Sequence, residues 1–150
     1  MKRKKIILWI IAVILIAGAA GGYYAYTEYN RKQKDTADLK ADYTSTAVSL
    51  LNEFQQDEKA ANTKYNSKVL KVDGLVKDLI RDDKGFYSVV LGDTASMSSV
   101  RFSMDSLHNG KAATLIKGTK AILKGICTGY NADEMLGSDL ILNRAVIEKN

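Results

Sequence analysis

The most apolar part of the chain is its N-terminal segment. Residues 6–26 carry no charge, and the stretch from Ile6 to Ala17 consists almost entirely of Ile, Leu, Val and Ala. A helix rises about 1.5 Å per residue, so this segment is long enough to cross the roughly 30 Å hydrocarbon core of a bilayer. Three tyrosines then fall where the far interface would lie, at positions 23, 24 and 26. The pattern predicts a transmembrane helix over residues 6–26.

A cleaved secretory signal is the alternative interpretation of this segment. Basic residues come first, an apolar run follows, and the small residues Ala17 to Ala20 are typical of a cleavage site. We favour an uncleaved anchor because the apolar stretch continues past these small residues into the tyrosine cluster. A lipid-modified N-terminus is disfavoured, since no cysteine directly follows the apolar run. Both interpretations export the rest of the chain.

Two different patterns follow the anchor. Residues 27–42 are dominated by charged and amide side chains, which cannot form a core, and they are expected to be a polar stalk. Large apolar residues then recur at steps of three and four, which predicts an amphipathic helix over Thr44 to Ala61. We expect it to pack on its own domain, and a partner-binding helix is the alternative. The positions that form this stripe are Tyr43, Ala47, Leu50, Leu51 and Phe54.

Beyond Tyr65 the apolar residues alternate with polar ones, as in half-buried strands. Gly74 marks a point where the first strand is expected to bend, and a short helix is expected over Asp105 to Ile116, with Gly118 as its stop. The predicted strands are Lys68 to Val76, Phe86 to Leu91, Val100 to Met104, Thr119 to Thr128 and Asp139 to Glu148.

Five strands with a helix between the third and the fourth are the layout of an OB-fold barrel. The predicted fold class is therefore mainly β with α, with an amphipathic helix and a transmembrane helix ahead of the barrel. Residues 1–26 form the basic stub and anchor, residues 27–42 the stalk, and residues 43–150 the helix and barrel.

The charge of the chain changes what this barrel is expected to bind. The formal net charge is +5, but Lys2 to Lys5 contribute four of those charges, so the remainder carries only +1. Phosphate binding normally needs a concentrated basic face, and nucleic acid is therefore disfavoured. The same four residues place the N-terminus in the cytoplasm by the positive-inside rule, and the barrel on the other side of the membrane.

The residue types that usually carry chemistry are sparse. Cys127 and His108 are single, and we expect a buried core thiol and a surface histidine rather than a nucleophile or ligand. The acid pairs Asp82-Asp83 and Asp133-Glu134 lie in turns and are expected to be solvated loop tips. No nucleophile–base set, phosphate loop or metal spacing is present, so we expect no catalysis, no cofactor and no metal.

A set of short motifs runs through the predicted helix and barrel: Ala60-Ala61, Tyr65, Lys68-Val69-Leu70, Val72-x-Gly74, Val89-Val90-Leu91, Val100-x-Phe102, Lys117-Gly118 and Lys124-Gly125-x-Cys127-x-Gly129. With these motifs the chain resembles the bacterial OB-fold proteins grouped as tRNA-anticodon-binding-like, many of which are exported or membrane-anchored. The resemblance implies the fold rather than a ligand, and with the anchor it implies a single-pass protein of the bacterial inner membrane with a periplasmic domain.

OB barrels usually bind across their second and third strands and the adjacent loops. Phe102 is expected to be a core residue, Tyr87 is at an ambiguous position, and Arg101 is expected to face outward. The expected function is a non-catalytic module that binds an envelope protein or a glycan, with nucleic-acid binding as the alternative. The candidate ligand-binding residues are Tyr87, Ser88, Arg101, Ser103 and Lys124.

Overall fold

The computed structural model describes residues 2–30, 34–133 and 135–148. The chain divides into two compact units, Met1–Lys34 and Asp35–Asn150. The first contains one helix, α1 (Lys2–Tyr29). In the described part of the chain, α1 alone is long and apolar enough to cross a membrane, with a mean hydropathy of 1.6 over Trp9–Tyr29 and none of that window buried. A water-exposed helix of this composition would be unfavourable, so the predicted membrane association has a physical basis.

The second unit is a closed barrel of five strands with one added strand, which confirms the predicted OB fold. The sheet order is β1-β2-β3-β4-β6-β5, and β2 also pairs with β5 to close the barrel. The β1–β2 and β4–β6 pairs are parallel and the others are antiparallel. The strands are β1 (Tyr43–Thr46), β2 (Val69–Arg81), β3 (Tyr87–Leu91), β4 (Ser99–Met104), β5 (Lys120–Asn131) and β6 (Asp139–Glu148).

Strand β2 is longer than predicted and closes the barrel because it has two partners. Its first half pairs with β5 and its second half with β3, with a register shift between Val76 and Asp78. Gly74 continues the strand, and its role is close packing: a Cβ there would lie 3.0 Å from the Cβ of Ala47 and 3.3 Å from that of Leu91.

One apolar cluster fills the barrel and the space beneath its helices. Phe102 and Val100 are fully buried, as predicted from their alternation with Arg101, and Cys127 is 1% exposed. Because the inward side of every barrel strand is used in this way, only the outer faces, the loops and the helices can meet a ligand.

The predicted helix Thr44 to Ala61 is wrong at its start and divided in its middle. Tyr43–Thr46 forms β1, which pairs in parallel with Leu70–Asp73 of β2. Helices α2 (Ala47–Gln56) and α3 (Glu58–Tyr65) then follow. Asp57 separates them because its Oδ1 accepts from the N–H of Ala60 and so caps the start of α3 at 2.9 Å.

The segment that precedes β1 also differs from the expected stalk. Residues 35–42, here called the N-terminal strap, belong to the second compact unit and include a short 3₁₀ helix at Thr36–Asp38. Thr36 is fully buried, and Asp42 exchanges two hydrogen bonds with Val69, at 2.7 and 2.8 Å. Polar composition suggested an extended stalk, but the strap is held by its backbone and charged groups rather than by an apolar core.

The connection between β4 and β5 contains a shorter helix than predicted. Only Asn109–Ala112 forms a helical turn, α4, within the expected range Asp105 to Ile116. The glycine at position 110 disfavours a longer helix. Gly118 has φ +85°, a conformation that favours glycine, and it directs the chain into β5.

Candidate functional site

The outer face of β3 and β4 is the surface through which an OB barrel usually binds. Val89 and Phe102 point inward and are fully buried, so their neighbours Ser88, Arg101 and Ser103 lie on the outer side. Ser88 pairs directly with Ser103 across the two strands, and Arg101 with Val90. Three of the five predicted residues therefore share one surface, here called the OB face.

The guanidinium of Arg101 is paired on this face. Its Nη2 lies 3.2 Å from Oδ2 of Asp139, and the hydroxyl of Ser99 donates to the other carboxylate oxygen of Asp139. The side chains of Arg101 and Asp139 are about one-third exposed. The arginine still offers donors to a ligand, but its charge is largely compensated.

A second ion pair lies beside the OB face on β2. Asp78 is the Cα partner of Val90, and its Oδ1 accepts from Nζ of Lys117 at 3.0 Å. Lys117 is the main cause that lowers the pKa of Asp78, followed by the N–H of Leu79. This surface therefore carries acids and bases in equal numbers rather than a basic stripe.

Tyr87 lies on the other side of β3 from Ser88. It is partly buried against the core, and the guanidinium carbon of Arg81 lies 5.5 Å from the centre of its ring. Its backbone N–H donates to Oδ1 of Asn109 at 2.7 Å, which ties the start of β3 to α4. The ring is thus engaged by its own domain and is not presented beside Arg101.

Lys124 is apart from the OB face, on β5 beneath the N-terminal strap. Its side chain is only 7% exposed, and its buried ammonium has three oxygen partners. It donates to the carbonyls of Ala37 and Leu39, both at 2.9 Å, and lies 2.7 Å from Oε1 of Glu148. An ammonium so enclosed holds the strap on the barrel and has no donor directed to solvent.

Glu148, whose side chain is one-quarter exposed, completes this charge cluster. Its other carboxylate oxygen lies 3.4 Å from Nζ of Lys71. The hydrogen bond from Lys124 is the main cause that lowers the pKa of Glu148. Because the folded state favours the carboxylate, the contribution of Glu148 to stability is present above its unfolded pKa and is lost as the pH falls through the folded value.

His108 makes a contact that was not expected of a surface histidine. Its Nε2 lies 2.7 Å from Oδ2 of Asp35, the first residue of the strap, and its side chain is 16% exposed. The pKa of Asp35 is lowered, first by the N–H of Ala37 and then by the bond to His108. This pair could not be predicted from the sequence, because 73 positions separate the two residues.

Cys127 lies in the core and Asp82 in a turn, as the sequence predicts. Cys127 is buried, and desolvation raises its pKa to about 11, so the thiolate is disfavoured. Asp82 caps its own turn by accepting from the N–H groups of Lys84 and Phe86. Glu134 lies outside the described residues. Among the described residues, no three His, Cys, Asp or Glu side chains are grouped as metal ligands would be.

A pocket of about 340 Å³ lies on another side of the domain, between the start of α2, strand β2 and the start of β5. Its surface is mainly apolar, with Ala47, Val48 and Leu75 among its lining residues. Val48 is 49% and Leu75 37% exposed. Asp73 and Lys120 also line it. This pocket could not be predicted from the sequence, because the apolar stripe of α2 indicates packing and gives no sign of a depression beside it.

A second pocket of about 200 Å³ adjoins the first, since both are lined by Val48 and Asp93. It runs between α2 and the loop 92–98, with Asn52 and Gln55 on the helix side. Together the two pockets are here called the α2 groove. Their common feature is one helical wall and one loop wall.

The loop wall is fixed in place by side-chain contacts. Nζ of Lys77 donates to the carbonyls of Ser96 and Ser98 at 2.6 and 3.0 Å. Oγ of Ser98 accepts from Nε2 of Gln55 and from the N–H of Ser138. The α2 groove is therefore preformed by hydrogen bonds to β2, α2 and the segment before β6, which favours ligand binding without loop rearrangement.

One family model matches nearly the whole chain. The tRNA_anti-like model matches residues 1–141. The chain belongs to the tRNA_anti-like family. The match extends from the N-terminal helix to the start of β6, so it includes the strap and most of the OB barrel. No curated protein matches this family member significantly.

Several solved structures are similar to this tRNA_anti-like protein. A candidate nucleic acid-binding lipoprotein from Klebsiella pneumoniae is 20% identical, with a TM-score of 0.54, and the match covers 79% of this chain and 100% of that one. Asparaginyl-tRNA synthetases from Pyrococcus horikoshii and Entamoeba histolytica match at 18% and 12% identity, with TM-scores of 0.37 and 0.38. Those matches span about a fifth of each synthetase and roughly half of this chain. The likeness to the Klebsiella lipoprotein supports the fold and leaves the ligand open.

Proposed function

We propose that this tRNA_anti-like protein is a non-catalytic binding module, anchored in a membrane by α1, whose OB domain recognises an envelope protein or a glycan. The observation that carries the proposal is the neutral character of the OB face. Arg101 is paired with Asp139, and Lys117 with Asp78. A surface of balanced charge with serine hydroxyls suits hydrogen bonding to a protein or a glycan better than attachment to a phosphate backbone.

The charge of the whole domain supports the same proposal. Residues 35–150 contain fifteen Lys or Arg and sixteen Asp or Glu, a formal net charge of −1. The positive excess of the chain lies at the two ends of the apolar helix, in Lys2 to Lys5 and in Arg31, Lys32 and Lys34. Stacking aromatics, which single-stranded nucleic acids need, are also missing from the strand positions of the OB face named above.

Nucleic acid is the second candidate, because the matched Klebsiella lipoprotein is described as a candidate nucleic acid-binding protein. The two candidates differ in what they require of Arg101. A nucleic acid on the OB face would need the Arg101 guanidinium to bind a phosphate or a base edge, so the ion pair between Arg101 and Asp139 would have to break. A protein or a glycan can bind while this ion pair is kept.

Titration with a labelled single-stranded RNA tests the two candidates. We expect the full chain in neutral detergent to bind it only through the basic residues at the helix ends. Replacing Arg31, Lys32 and Lys34 together with serine should then weaken the binding strongly, whereas Arg101→Ala should change it less than twofold. Lys84→Ala is the matched control for loss of one exposed charge. A tenfold loss with Arg101→Ala alone would establish the nucleic-acid function instead.

We further propose that α1 spans the bacterial inner membrane once, with the N-terminus in the cytoplasm and the OB domain in the periplasm. The four basic residues at the start of α1 and the length of its apolar segment support this orientation. The anchor is taken to be retained rather than cleaved, because its apolar stretch continues past the small residues.

Cysteine labelling tests this orientation. Asp83 lies in the exposed turn between β2 and β3, so Asp83→Cys is expected to react with a membrane-impermeant maleimide in cells whose outer membrane has been permeabilised. The wild type is its own background, because buried Cys127, with its pKa raised to about 11, should remain unlabelled. A cysteine added before Lys2 should react only after lysis. Labelling of Asp83→Cys only after lysis would place the domain in the cytoplasm.

A further inference from the structure

The loops 82–86 and 105–119 lie together at one end of the barrel, here called the proximal end. The amide of Asn109 ties them to each other: its Nδ2 donates to the carbonyl of Gly85 at 2.9 Å, and its Oδ1 accepts from the N–H of Tyr87 at 2.7 Å. Both loops expose large apolar side chains, which are Phe86, Leu107 and Ile116. Apolar groups that gather on one exposed surface indicate that this end of the barrel makes a contact.

The charges of the proximal end cancel, with histidine counted as neutral. Its two loops contain three carboxylates and three ammonium groups, in Asp82, Asp83, Asp105, Lys84, Lys111 and Lys117. The charged side chains that contact these loops from other elements also balance, and they are Arg81, Arg144, Asp35 and Asp78. Net charge therefore selects no partner for this end, and its apolar side chains decide what it contacts.

The start of the N-terminal strap ties the proximal end to the chain that leaves α1. Asp35, the first residue of the strap, lies 2.7 Å from Nε2 of His108, which directly follows Leu107. Asp35 also follows Tyr29, the last residue of α1, by six positions. An extended chain spans at most about 3.5 Å per residue, so Asp35 stays within about 21 Å of the end of α1. A bilayer around α1 is therefore an apolar phase within reach of Leu107.

The opposite, distal end of the barrel consists of the loops 92–98 and 135–138. It exposes apolar side chains as well, in Met97, Met135 and Leu136. Strand β4 runs from the distal to the proximal end, and its six residues span about 17 Å at the usual rise of a strand. Exposure alone does not distinguish the two ends, whereas the position of Asp35 beside His108 does.

We infer that the proximal end rests on the surface of the bilayer that holds α1, with Phe86, Leu107 and Ile116 inserted among the lipid headgroups. Aliphatic and aromatic side chains are typical of such interfacial contacts. The contact needs little affinity of its own, because the anchor keeps the loops at a high effective concentration near the lipid. The inference rests on the proposed function in taking α1 as a membrane anchor, and it is independent of what the OB face binds.

A polarity-sensitive fluorophore on each end of the barrel tests the inference. Ser106→Cys and Thr94→Cys, each labelled with nitrobenzoxadiazole, place it on an exposed polar residue of a proximal and a distal loop, while buried Cys127 stays unlabelled. The full chains are reconstituted in vesicles of phosphatidylethanolamine and phosphatidylglycerol that contain a lipid with a nitroxide on its headgroup. We expect the quenching constant at position 106 to be at least about threefold larger than at position 94.

Paired variants show whether the apolar side chains make the contact. In the labelled Ser106→Cys chain, Leu107→Asp with Ile116→Asp should lower the quenching about threefold, because a carboxylate disfavours insertion. Met97→Asp with Met135→Asp adds the same charge at the distal end and should change the quenching by less than about 1.5-fold. All four side chains are at least 66% exposed, so the fold is expected to tolerate both pairs.

Equal quenching at positions 106 and 94, or equal losses from the two aspartate pairs, would overturn the inference. Flotation of the vesicles after an alkaline wash separates this failure from failure of the anchor. A chain that floats with the vesicles although position 106 is not quenched would overturn the lipid contact alone and leave the proposed function intact. A chain that is washed off the vesicles would overturn both the anchor and the lipid contact.

Discussion

Replacing Lys124 with alanine is expected to lower the free energy of unfolding by about 3 kcal/mol and to release the N-terminal strap. The substitution removes the donor of two strap carbonyls, at Ala37 and Leu39, and the nearer partner of Glu148. Breaking a buried ion pair typically costs about 3–5 kcal/mol because the remaining charge is left without its partner. The lower end is expected here because Glu148 keeps Lys71 at 3.4 Å.

Urea unfolding of the full chain in neutral detergent, followed by near-ultraviolet circular dichroism, measures this loss. Lys71→Ala is the matched control: it removes the other partner of Glu148, but its side chain is one-third exposed, so a loss under about 1 kcal/mol is expected. Faster amide exchange at residues 37–42 in the Lys124 variant would confirm that the strap is released. Equal losses in the two variants would show that Lys124 acts only as one more charge near Glu148.

The barrel could be predicted because its signal is local. Each of the five predicted strands is found, since alternation such as that of Val100, Arg101 and Phe102 follows directly from which side of the sheet is buried. The OB layout then followed from the order of the elements alone. Cys127 was predicted to be buried for a similar reason, because it lies within an apolar strand.

The errors occur where distant partners decide the local structure. Tyr43–Thr46 fits a helical stripe, but pairing with β2 satisfies its backbone as a strand. The strap was expected to be a stalk because its residues are polar, and composition cannot reveal that Lys124, more than eighty positions away, supplies the donors for its carbonyls. His108 was expected at the surface because it lies in a polar stretch, and the sequence does not show that it pairs with the distant Asp35.

The candidate ligand residues were predictable only in part. Ser88, Arg101 and Ser103 lie together because strand alternation places them on one face. Tyr87 and Lys124 do not join them, since one packs toward the core and the other is enclosed by the strap. The α2 groove depends on how α2 lies beside the loop 92–98, which no periodicity in either segment encodes.

Phe54→Ala is expected to cost about 3–5 kcal/mol of stability, the usual range for removing a buried phenylalanine ring. Phe54 is 1% exposed, and its ring stacks on those of Tyr130 and Tyr65, with centroids 4.8 and 5.8 Å apart. These contacts join α2 to β5 and α3. Together with the buried side chains of Ala47, Leu50 and Leu51, the ring links α2 to the barrel.

The same urea experiment measures the effect, and two variants separate its causes. Phe54→Leu keeps most of the buried volume, so it should lose clearly less than the alanine variant. Val48→Ala, on the exposed side of α2, should change the stability by no more than about 0.5 kcal/mol, since alanine favours a helix and little surface is uncovered. If Phe54→Ala cost as little as Val48→Ala, α2 would not be held by its aromatic contacts. Ala47, Leu50 and Leu51 would then be the residues that hold α2 on the barrel.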